Sequence, residues 1–152
     1  MLAPRVMGAS VLDLYAGSGA LGLEALSRGA DRAILVDNDH EAVRTIDHNL
    51  RELGYQQRAL VKRMRAERFV NLAITAGWCF GVIFCDPPWA VGLSVEVRDN
   101  LHHILDPDGL ILVEHQKADP PPVLDQLAPM RDRAWGDTRV TWYQVPVKGG
   151  RP

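Results

Sequence analysis

Short apolar runs alternate with longer stretches in which apolar residues recur at helical spacing along most of this sequence. Runs bounded by glycine, proline or aspartate predict buried β-strands, and an apolar stripe at every third or fourth position predicts an amphipathic helix. The predicted strands span residues 10–15, 32–36, 58–63, 80–85 and 109–115, followed by a hairpin of residues 131–135 and 139–145 that turns at Gly136-Asp137. The predicted helices span residues 20–28, 40–53, 66–76, 93–105 and 123–128.

Strands that alternate with helices predict right-handed crossovers and a mainly parallel sheet with helices on both faces. The near-continuous apolar character of the strands supports this prediction, because both faces of such a sheet are buried. The final hairpin adds antiparallel strands to the sheet. No repeat, linker or low-complexity segment divides the 152 residues. The sequence therefore predicts one α/β domain over residues 1–152, with a disordered tail at residues 148–152.

The composition is that of an ordinary globular protein, with 47% hydrophobic and 24% charged residues. The net charge of −2 gives no bulk support for nucleic-acid binding, although a local basic patch is enough for it. Five basic residues with a single acid among them, Glu67, form such a patch: Arg58, Lys62, Arg63, Arg65 and Arg68. These residues either contact RNA phosphates or form a solvated edge of the fold.

Several classes of protein do not match this sequence. No apolar run is long enough to span a membrane, and no apolar segment of a signal peptide follows the first residues. Cys79 and Cys85 flank or belong to an apolar strand, which predicts buried thiols in a reducing compartment. The histidines have no metal-ligand spacing with the cysteines. We therefore expect a cytoplasmic protein without a metal site.

A glycine-rich turn follows the first predicted strand. Its residues, Gly17-Ser18-Gly19-Ala20-Leu21-Gly22, match the G-x-G-x-x-G pattern in a strand–turn–helix context. Glycines allow positive φ and close approach of a ligand, and the helix N-terminus presents free N–H groups. Asp37 ends the second strand 20 residues after Gly17, where a carboxylate accepts hydrogen bonds from ribose hydroxyls. The two features predict a nucleotide-containing cofactor, and the alternative is a tight turn with a helix-capping aspartate.

The glycine turn alone does not distinguish NAD from S-adenosylmethionine. Asp13 stands at the end of the first strand, four residues before Gly17, where it suits an ammonium group and would repel a pyrophosphate. The chain length leaves little room for two mononucleotide-binding halves and a substrate domain. Both observations favour S-adenosylmethionine. The further candidate contacts are Tyr15, Ala16, Ser18, Gly19 and Asn38, of which Tyr15 has a packing role as an equal alternative.

A second motif, Asp86-Pro87-Pro88-Trp89, directly follows the apolar strand of residues 80–85. Neither proline has a backbone N–H, and each favours extended geometry in the residue before it. A carboxylate, a carbonyl outside any helix and an aromatic ring therefore meet at the end of a buried strand. This combination suits a flat substrate with an amino group, whereas the alternative is a strand-ending proline turn with a capping aspartate.

Together these residues resemble a known family. The block of residues 11–30 and the Asp86-Pro87-Pro88-Trp89 motif resemble bacterial methyltransferases that modify guanine N2 in small-subunit ribosomal RNA, and Glu114 belongs to the resemblance. It covers residues 11–143 and implies a Rossmann-like class I methyltransferase fold with S-adenosylmethionine as the donor. It also implies that Asp86 and the Pro87 carbonyl orient the amine and that Trp89 stacks on the base. The partner would be small-subunit ribosomal RNA, and we expect a monomer.

Two features depart from the family pattern. Arg65 stands where the family has an acid that meets adenine, with Glu67 as a possible substitute. The family carries a basic, aromatic-containing segment ahead of the first strand, whereas this sequence reaches that strand after nine residues. A short segment before the first strand is expected of a truncated chain, a misassigned start or a reduced homologue.

Three other functions remain open at this stage. A non-catalytic remnant that binds cofactor or RNA would fit the short N-terminus. A nucleotide-binding oxidoreductase would fit the glycine pattern. A methyltransferase for a DNA base or a protein amide would fit the acidic Pro-Pro-aromatic motif, because those substrates also present amines.

Overall fold

The computed structural model describes residues 3–148, with side chains from residue 5 onwards. Its strands are β1 (Ser10–Asp13), β2 (Arg32–Asp37), β3 (Ala59–Arg63), β4 (Phe80–Cys85), β5 (Leu105–Gln116), β6 (Ala128–Trp135) and β7 (Thr138–Gln144). Its helices are α1 (Ala3–Val6), α2 (Ala20–Ser27), α3 (His40–Leu53), α4 (Ala66–Ala76) and α5 (Val95–Asn100). Lys148 lies in a turn, and the rest of the predicted disordered tail lies outside the described residues.

The strands form one seven-stranded sheet with the order β3-β2-β1-β4-β5-β7-β6. Strands β1 to β5 pair in parallel, whereas β7 is antiparallel to both β5 and β6. The predicted α/β fold with a C-terminal antiparallel hairpin is therefore confirmed. The strand order reverses between β1 and β4, and ligands of open α/β sheets bind outside the carboxyl ends of the strands at such a point.

Alternating side chains of the strands supply two separate cores. On one face, Leu12 and Ile83 pack with α4 and α5, where Phe69 and Val97 are fully buried. On the other face, the strand residues pack with α2 and α3 through Leu26, Ile46 and neighbouring side chains. The two cores hold the carboxyl ends of β1, β2 and β4 in fixed positions, which is what a binding site at that edge requires.

The predicted helix of residues 123–128 is wrong. The three prolines before it favour extended backbone, and residues 121–124 have no regular structure. The Tyr143 hydroxyl donates a hydrogen bond to the Pro122 carbonyl at 2.6 Å, and Leu124 and Leu127 are buried. Six residues are too few to nucleate a stable helix on their own, so these distant contacts decide the conformation. The segment then enters β6 at Ala128.

The predicted helix of residues 93–105 is shorter in the structure. It begins after Ser94, whose hydroxyl accepts a hydrogen bond from the Val97 N–H at 3.4 Å, and it ends at Asn100. A 3₁₀ turn, Leu101–Ile104, follows, because β5 already begins at Leu105, where it pairs with Phe80. Strand β5 thus starts four residues before Gly109, the predicted first residue.

The predicted burial of both cysteines is correct only for Cys85, since Cys79 is exposed directly before β4. Of the helices that the structure describes, none is long and apolar enough to cross a membrane. Within residues 3–148, no group of three or more histidine, cysteine or acidic side chains is arranged to hold a metal ion.

Candidate active site

An open cleft of about 840 Å³ lies at the carboxyl ends of β1, β2 and β4, where the strand order reverses. It brings together most of the residues that the sequence singles out. The lining includes Tyr15, Ala16, Gly17, Ser18, Asp37, Asn38, Asp86, Pro87 and Trp89. Asp13 and Gly19 are the two predicted site residues that do not line it. The two sequence motifs, 69 positions apart between Gly17 and Asp86, therefore form the two walls of one cleft.

The glycine turn adopts a conformation that other residues rarely adopt. Gly17 and Gly19 have φ values of +56° and +86°, in the left-handed region. A side chain at Gly19 would meet Ile46 and Leu35 at 3.2 Å, so this glycine also lets α2 pack closely on the sheet. At Gly17, by contrast, an added Cβ would find no atom within 4 Å. The backbone of Gly17 therefore faces open space in the cleft that a ligand can occupy.

Asp37 fastens this turn to the end of β2. One carboxylate oxygen accepts a hydrogen bond from the Gly17 N–H, and the other accepts one from the Asp39 N–H, both at 2.9 Å. A carboxylate oxygen can accept more than one hydrogen bond. Asp37 can therefore hold the turn and still accept hydrogen bonds from ribose hydroxyls. Asn38, which follows it, lines the same cleft.

Asp13 lies beneath the turn, only 1% exposed. Its Oδ2 accepts a hydrogen bond from the Gly22 N–H at 3.0 Å, which holds the first turn of α2 on β1. Its Oδ1 is buried and has no hydrogen-bond partner among the described residues. Burial raises the pKa of Asp13 to about 7, with the Gly22 N–H acting in the opposite sense and the charges of Asp86 and Asp37 adding to the rise. The predicted contact to an ammonium group stays a prediction, and Oδ1 is the atom that would make it.

The Asp86-Pro87-Pro88-Trp89 segment forms the opposite wall of the cleft. The Pro88 carbonyl accepts hydrogen bonds from the N–H groups of Val91 and Gly92, at 3.1 and 2.8 Å, and these close the turn after β4. Trp89 is 40% exposed, so much of its ring is available to contact a ligand. Burial raises the pKa of Asp86, and a hydrogen bond with Glu114 acts in the opposite sense. The segment thus presents a carboxylate and an aromatic ring to the cleft.

Arg65, the departure from the family's acid, and Glu67, its candidate substitute, both lie at the edge of this cleft. Arg65 precedes α4, and its Nε lies 3.6 Å from the Glu67 carboxylate. The pKa of Glu67 is lowered first by its own backbone N–H and further by Ser94 and Arg65. Both side chains line the cleft, so an acid is present in this region.

The basic patch of the sequence divides in the structure. The Arg58 guanidinium donates hydrogen bonds to the carbonyls of Leu26 and Ala30, which close the end of α2, so its role is structural. Arg63, Arg65 and Arg68 are exposed. These three side chains stay candidates for contact with RNA phosphates.

A second cavity, of about 390 Å³, lies on the far side of Asp86. Strand residues Phe84, Leu112, Val140 and Trp142 supply its apolar wall, and its charged residues are Glu24, Arg28, Asp86, Glu114 and Arg133. Apart from Asp86, none of these charged residues has a role that the sequence predicts. The available signal was that Glu114 ends an apolar run directly after Val113, just as Asp86 follows Cys85. The position of the hairpin residues depends on sheet pairing, for which no local signal exists.

The residues of the cleft, together with Asp13 beneath it, fit S-adenosylmethionine. The unpartnered Oδ1 of Asp13 suits an ammonium group, the open backbone of Gly17 allows close approach, and the Asp37 carboxylate suits ribose hydroxyls. S-adenosylmethionine has no phosphate group, so its binding requires no cationic side chain to hold one.

Comparison with known proteins gives consistent matches. The family described as "Conserved hypothetical protein 95" matches residues 1–144. "Putative rRNA methyltransferase YlbH" of Bacillus subtilis (strain 168) is 36% identical over 148 residues, which cover 95% of this chain and 80% of that protein. "Ribosomal RNA small subunit methyltransferase D" of Escherichia coli (strain K12) is 32% identical over 151 residues, which cover 97% of this chain and 74% of that protein. The solved structure of "Putative methyltransferase yhhF" from Escherichia coli superimposes with a TM-score of 0.80 at 33% identity, covering 95% of this chain and 79% of that one.

Proposed function

The chain belongs to the conserved hypothetical protein 95 family, and from this premise we propose that it is an S-adenosylmethionine-dependent ribosomal RNA methyltransferase whose target is the exocyclic N2 amine of a guanine. Its relatives named as ribosomal RNA methyltransferases support the reaction class and the RNA substrate. The class I fold and the acceptor carboxylates of Asp13 and Asp37 support S-adenosylmethionine as the cofactor. The choice of guanine N2 rests on the chemistry of the Asp86 wall.

One observation carries this proposal: Asp86, Pro87 and Trp89 line the same cleft as the glycine turn and Asp37. A cofactor held by the turn and a base held by the Asp86 segment would therefore share one space. Gly17, Ser18, Gly19, Asp37 and their neighbours Tyr15, Ala16 and Asn38 would hold the cofactor, with Asp13 below them. When bound, S-adenosylmethionine supplies an electrophilic methyl group on a sulfonium.

The residues of the other wall prepare the amine. Its lone pair is delocalised into the guanine ring, which makes it a poor nucleophile. Hydrogen bonds from the amine to the Asp86 carboxylate and the Pro87 carbonyl favour a pyramidal nitrogen with an available lone pair. The same acceptors stabilise the positive charge that develops on nitrogen. Trp89 stacks on the base and restricts its orientation, and such positioning can supply much of the barrier reduction.

A base in a duplex must leave its stack to reach such a cleft. Arg65 lines the cleft, Arg63 and Arg68 are exposed and close to it along the chain, and these three side chains would contact the flanking phosphates. The proposal therefore includes binding of RNA across the carboxyl edge of the sheet.

The test is methyl transfer to small-subunit RNA that lacks its natural modifications, supplied naked and as assembled subunits. We expect methylation at guanine N2, located by digestion and mass spectrometry. Asp86→Asn should lower kcat by about a hundredfold, because it removes the charge that stabilises the developing cation. Binding of S-adenosylmethionine should persist in this variant. Asp31→Asn, which changes an exposed aspartate at the opposite end of the sheet, is the matched control.

Transfer by Asp86→Asn at the wild-type rate would show that Asp86 does not have this role. Binding of S-adenosylmethionine without turnover on either RNA would favour the non-catalytic remnant. Methylation of DNA or of a protein amide, with RNA unmodified, would show that the substrate is not RNA.

A further inference from the structure

Asp86 has an acidic neighbour on the adjacent strand. Strands β4 and β5 run parallel with Cys85 opposite Val113, so the next residues of the two strands, Asp86 and Glu114, are also neighbours. Both side chains line the second cavity, while Asp86 alone of the two also lines the cleft. Asp86 therefore lies between the cleft and the second cavity, and Glu114 is its acidic neighbour in that cavity.

The carboxyl groups of Asp86 and Glu114 are neighbours on adjacent parallel strands and line the same cavity, so a proton held by either one can be shared with the other through a hydrogen bond. Burial raises the pKa of both groups. The negative charge of Asp86 and the hydrogen bond raise the pKa of Glu114 further, whereas the same hydrogen bond acts to lower the pKa of Asp86. When the pair holds one proton, these causes favour its place on Glu114, with Asp86 as the ionised acceptor. An ionised Asp86 is what orientation of an amine requires.

We propose that Glu114 is the proton outlet of the active site: it donates a hydrogen bond to Asp86 and releases to solvent the proton that the substrate amine loses. This inference rests on the proposed function of Asp86. It gives a role in the reaction to Glu114, a residue outside the Asp86-Pro87-Pro88-Trp89 motif.

The steps balance in atoms and charge. The bond between the methyl carbon and sulfur breaks as the bond between that carbon and the amine nitrogen forms. The nitrogen keeps its N–H bonding pair as the proton moves to Asp86. Glu114 then releases its own proton to water in the second cavity, and the proton on Asp86 moves along the hydrogen bond to Glu114. One proton has passed from the amine to solvent, and the pair has returned to its initial state.

Other charged groups face this pair from the surrounding elements. Glu24 and Arg28 of α2 form an ion pair of 2.7 Å at the edge of the second cavity, and Arg133 reaches the same cavity from β6. Asp13 of β1 interacts electrostatically with Asp86. On the other side of β5, a smaller pocket contains Glu114, His115 and Asp119. Glu24 offers a matched control, because it shares the cavity with Glu114 but pairs with Arg28.

The first experiment needs no substrate. Carbon-13 labelling of aspartate and glutamate side chains allows the carboxyl groups of Asp86 and Glu114 to be titrated by NMR in the wild type, Glu114→Gln and Glu24→Gln. We expect coupled titration of the pair in the wild type and in Glu24→Gln, and a changed titration of Asp86 in Glu114→Gln. Independent titration of the two groups in the wild type would overturn the shared proton, whatever the protein methylates.

The second experiment measures methyl transfer to undermodified small-subunit RNA as a function of pH. Glu114→Gln keeps a hydrogen-bond donor towards Asp86 but cannot release a proton, so we expect kcat to fall by about a hundredfold with little change in KM. The ionisation of Glu114 should also disappear from the pH profile of kcat. Glu24→Gln should retain the wild-type profile.

Three outcomes of the second experiment would contradict the proposal in different ways. A Glu114→Gln variant with wild-type kcat at every pH would overturn the proton outlet. Equal losses in Glu114→Gln and Glu24→Gln would show a general effect of negative charge and would also overturn it. A wild-type protein that methylates no amine would overturn the proposed function and the outlet together, while coupled NMR titration would still support the shared proton.

Discussion

Asp13, Asp37 and Asp86 lie around one cleft in three different environments. Asp37 accepts backbone hydrogen bonds on both carboxylate oxygens, whereas buried Asp13 has such a bond on one oxygen only. Asp86 is half-buried beside Glu114 of the neighbouring strand. Local sequence places each aspartate just after or at the end of an apolar run, so it predicts their position. Their protonation depends on neighbours from other strands.

The buried Asp13 makes stability depend on pH. Its pKa rises from 3.8 to about 7 on folding, so the folded protein binds more protons than the unfolded chain between these values. The contribution of protonated Asp13 is complete below about pH 4 and is lost as pH rises through about 7. Asp13→Asn keeps an acceptor for the Gly22 N–H but does not ionise. We expect the free energy of unfolding in urea to decrease less from pH 4 to pH 7 in the variant than in the wild type.

Identical pH dependence of unfolding in the two proteins would contradict the raised pKa of Asp13. The same variant also tests the ammonium contact, because removal of the charge should weaken binding of S-adenosylmethionine measured at pH 8. Unchanged affinity would leave Asp13 with the structural role alone.

At the scale of elements, the loop between β2 and α3 links Asp37, which lines the cleft, to Asp39, which caps the N-terminus of α3. Asp37 accepts the Asp39 N–H, and the Asp39 carboxylate in turn accepts the Ala42 N–H at 3.2 Å as the N-cap of α3. The helix ends at Gly54, which has a φ of +73°. Both ends of α3 are therefore defined by residues whose preference for these positions is local. This explains why the bounds of α3 are predicted correctly from the sequence.

Loss of the N-cap should destabilise the protein. We expect Asp39→Ala to lower the free energy of unfolding by about 1 kcal/mol, because an N–H group of the first helical turn loses its acceptor. Glu52→Ala, at the exposed carboxyl end of the same helix, removes an equal charge without a capping role and should have almost no effect. Urea denaturation of both variants gives the comparison. Equal effects of the two substitutions would show that the Asp39 carboxylate does not cap α3.

Short elements are predicted less well than α3 for a physical reason. The segment of residues 123–128 has apolar side chains at helical spacing, yet Leu124 and Leu127 are buried without forming a helix. Helix α5 is cut to Val95–Asn100 because β5 pairs with β4 from Leu105 onwards. In both cases the energy of contacts between distant residues exceeds the small preference of a few residues for a helix.

At the scale of the whole molecule, the cleft depends on the sheet order. Strands β1 and β4 are neighbours although 66 residues lie between Asp13 and Phe80, so the glycine turn and the Asp86 segment meet at one edge. The two cores on opposite faces keep these strand ends in register. A ligand that contacts both walls should therefore stabilise the complete fold.

This linkage gives a direct test of the cofactor. At a concentration of S-adenosylmethionine one hundred times its Kd, we expect the free energy of unfolding to rise by about 2.7 kcal/mol, since the ligand binds the folded state alone. The demethylated product should also stabilise the protein, and NAD at the same concentration should not. Calorimetric titration supplies the Kd, and urea denaturation supplies the change in stability. Stabilisation by NAD in place of S-adenosylmethionine would favour the oxidoreductase.

The sequence by itself determined the alternation of strands and helices, the glycine turn, and the acids at the ends of β2 and β4. These features depend on periodicity and on residue types whose backbone or hydrogen-bonding requirements are local. Only the tertiary structure decided that Asp13 is buried beneath the turn, that residues 123–128 form no helix, and that Glu114 adjoins Asp86 at a second cavity. Burial, strand pairing and shared protons arise from residues far apart in the chain, and no local pattern encodes them.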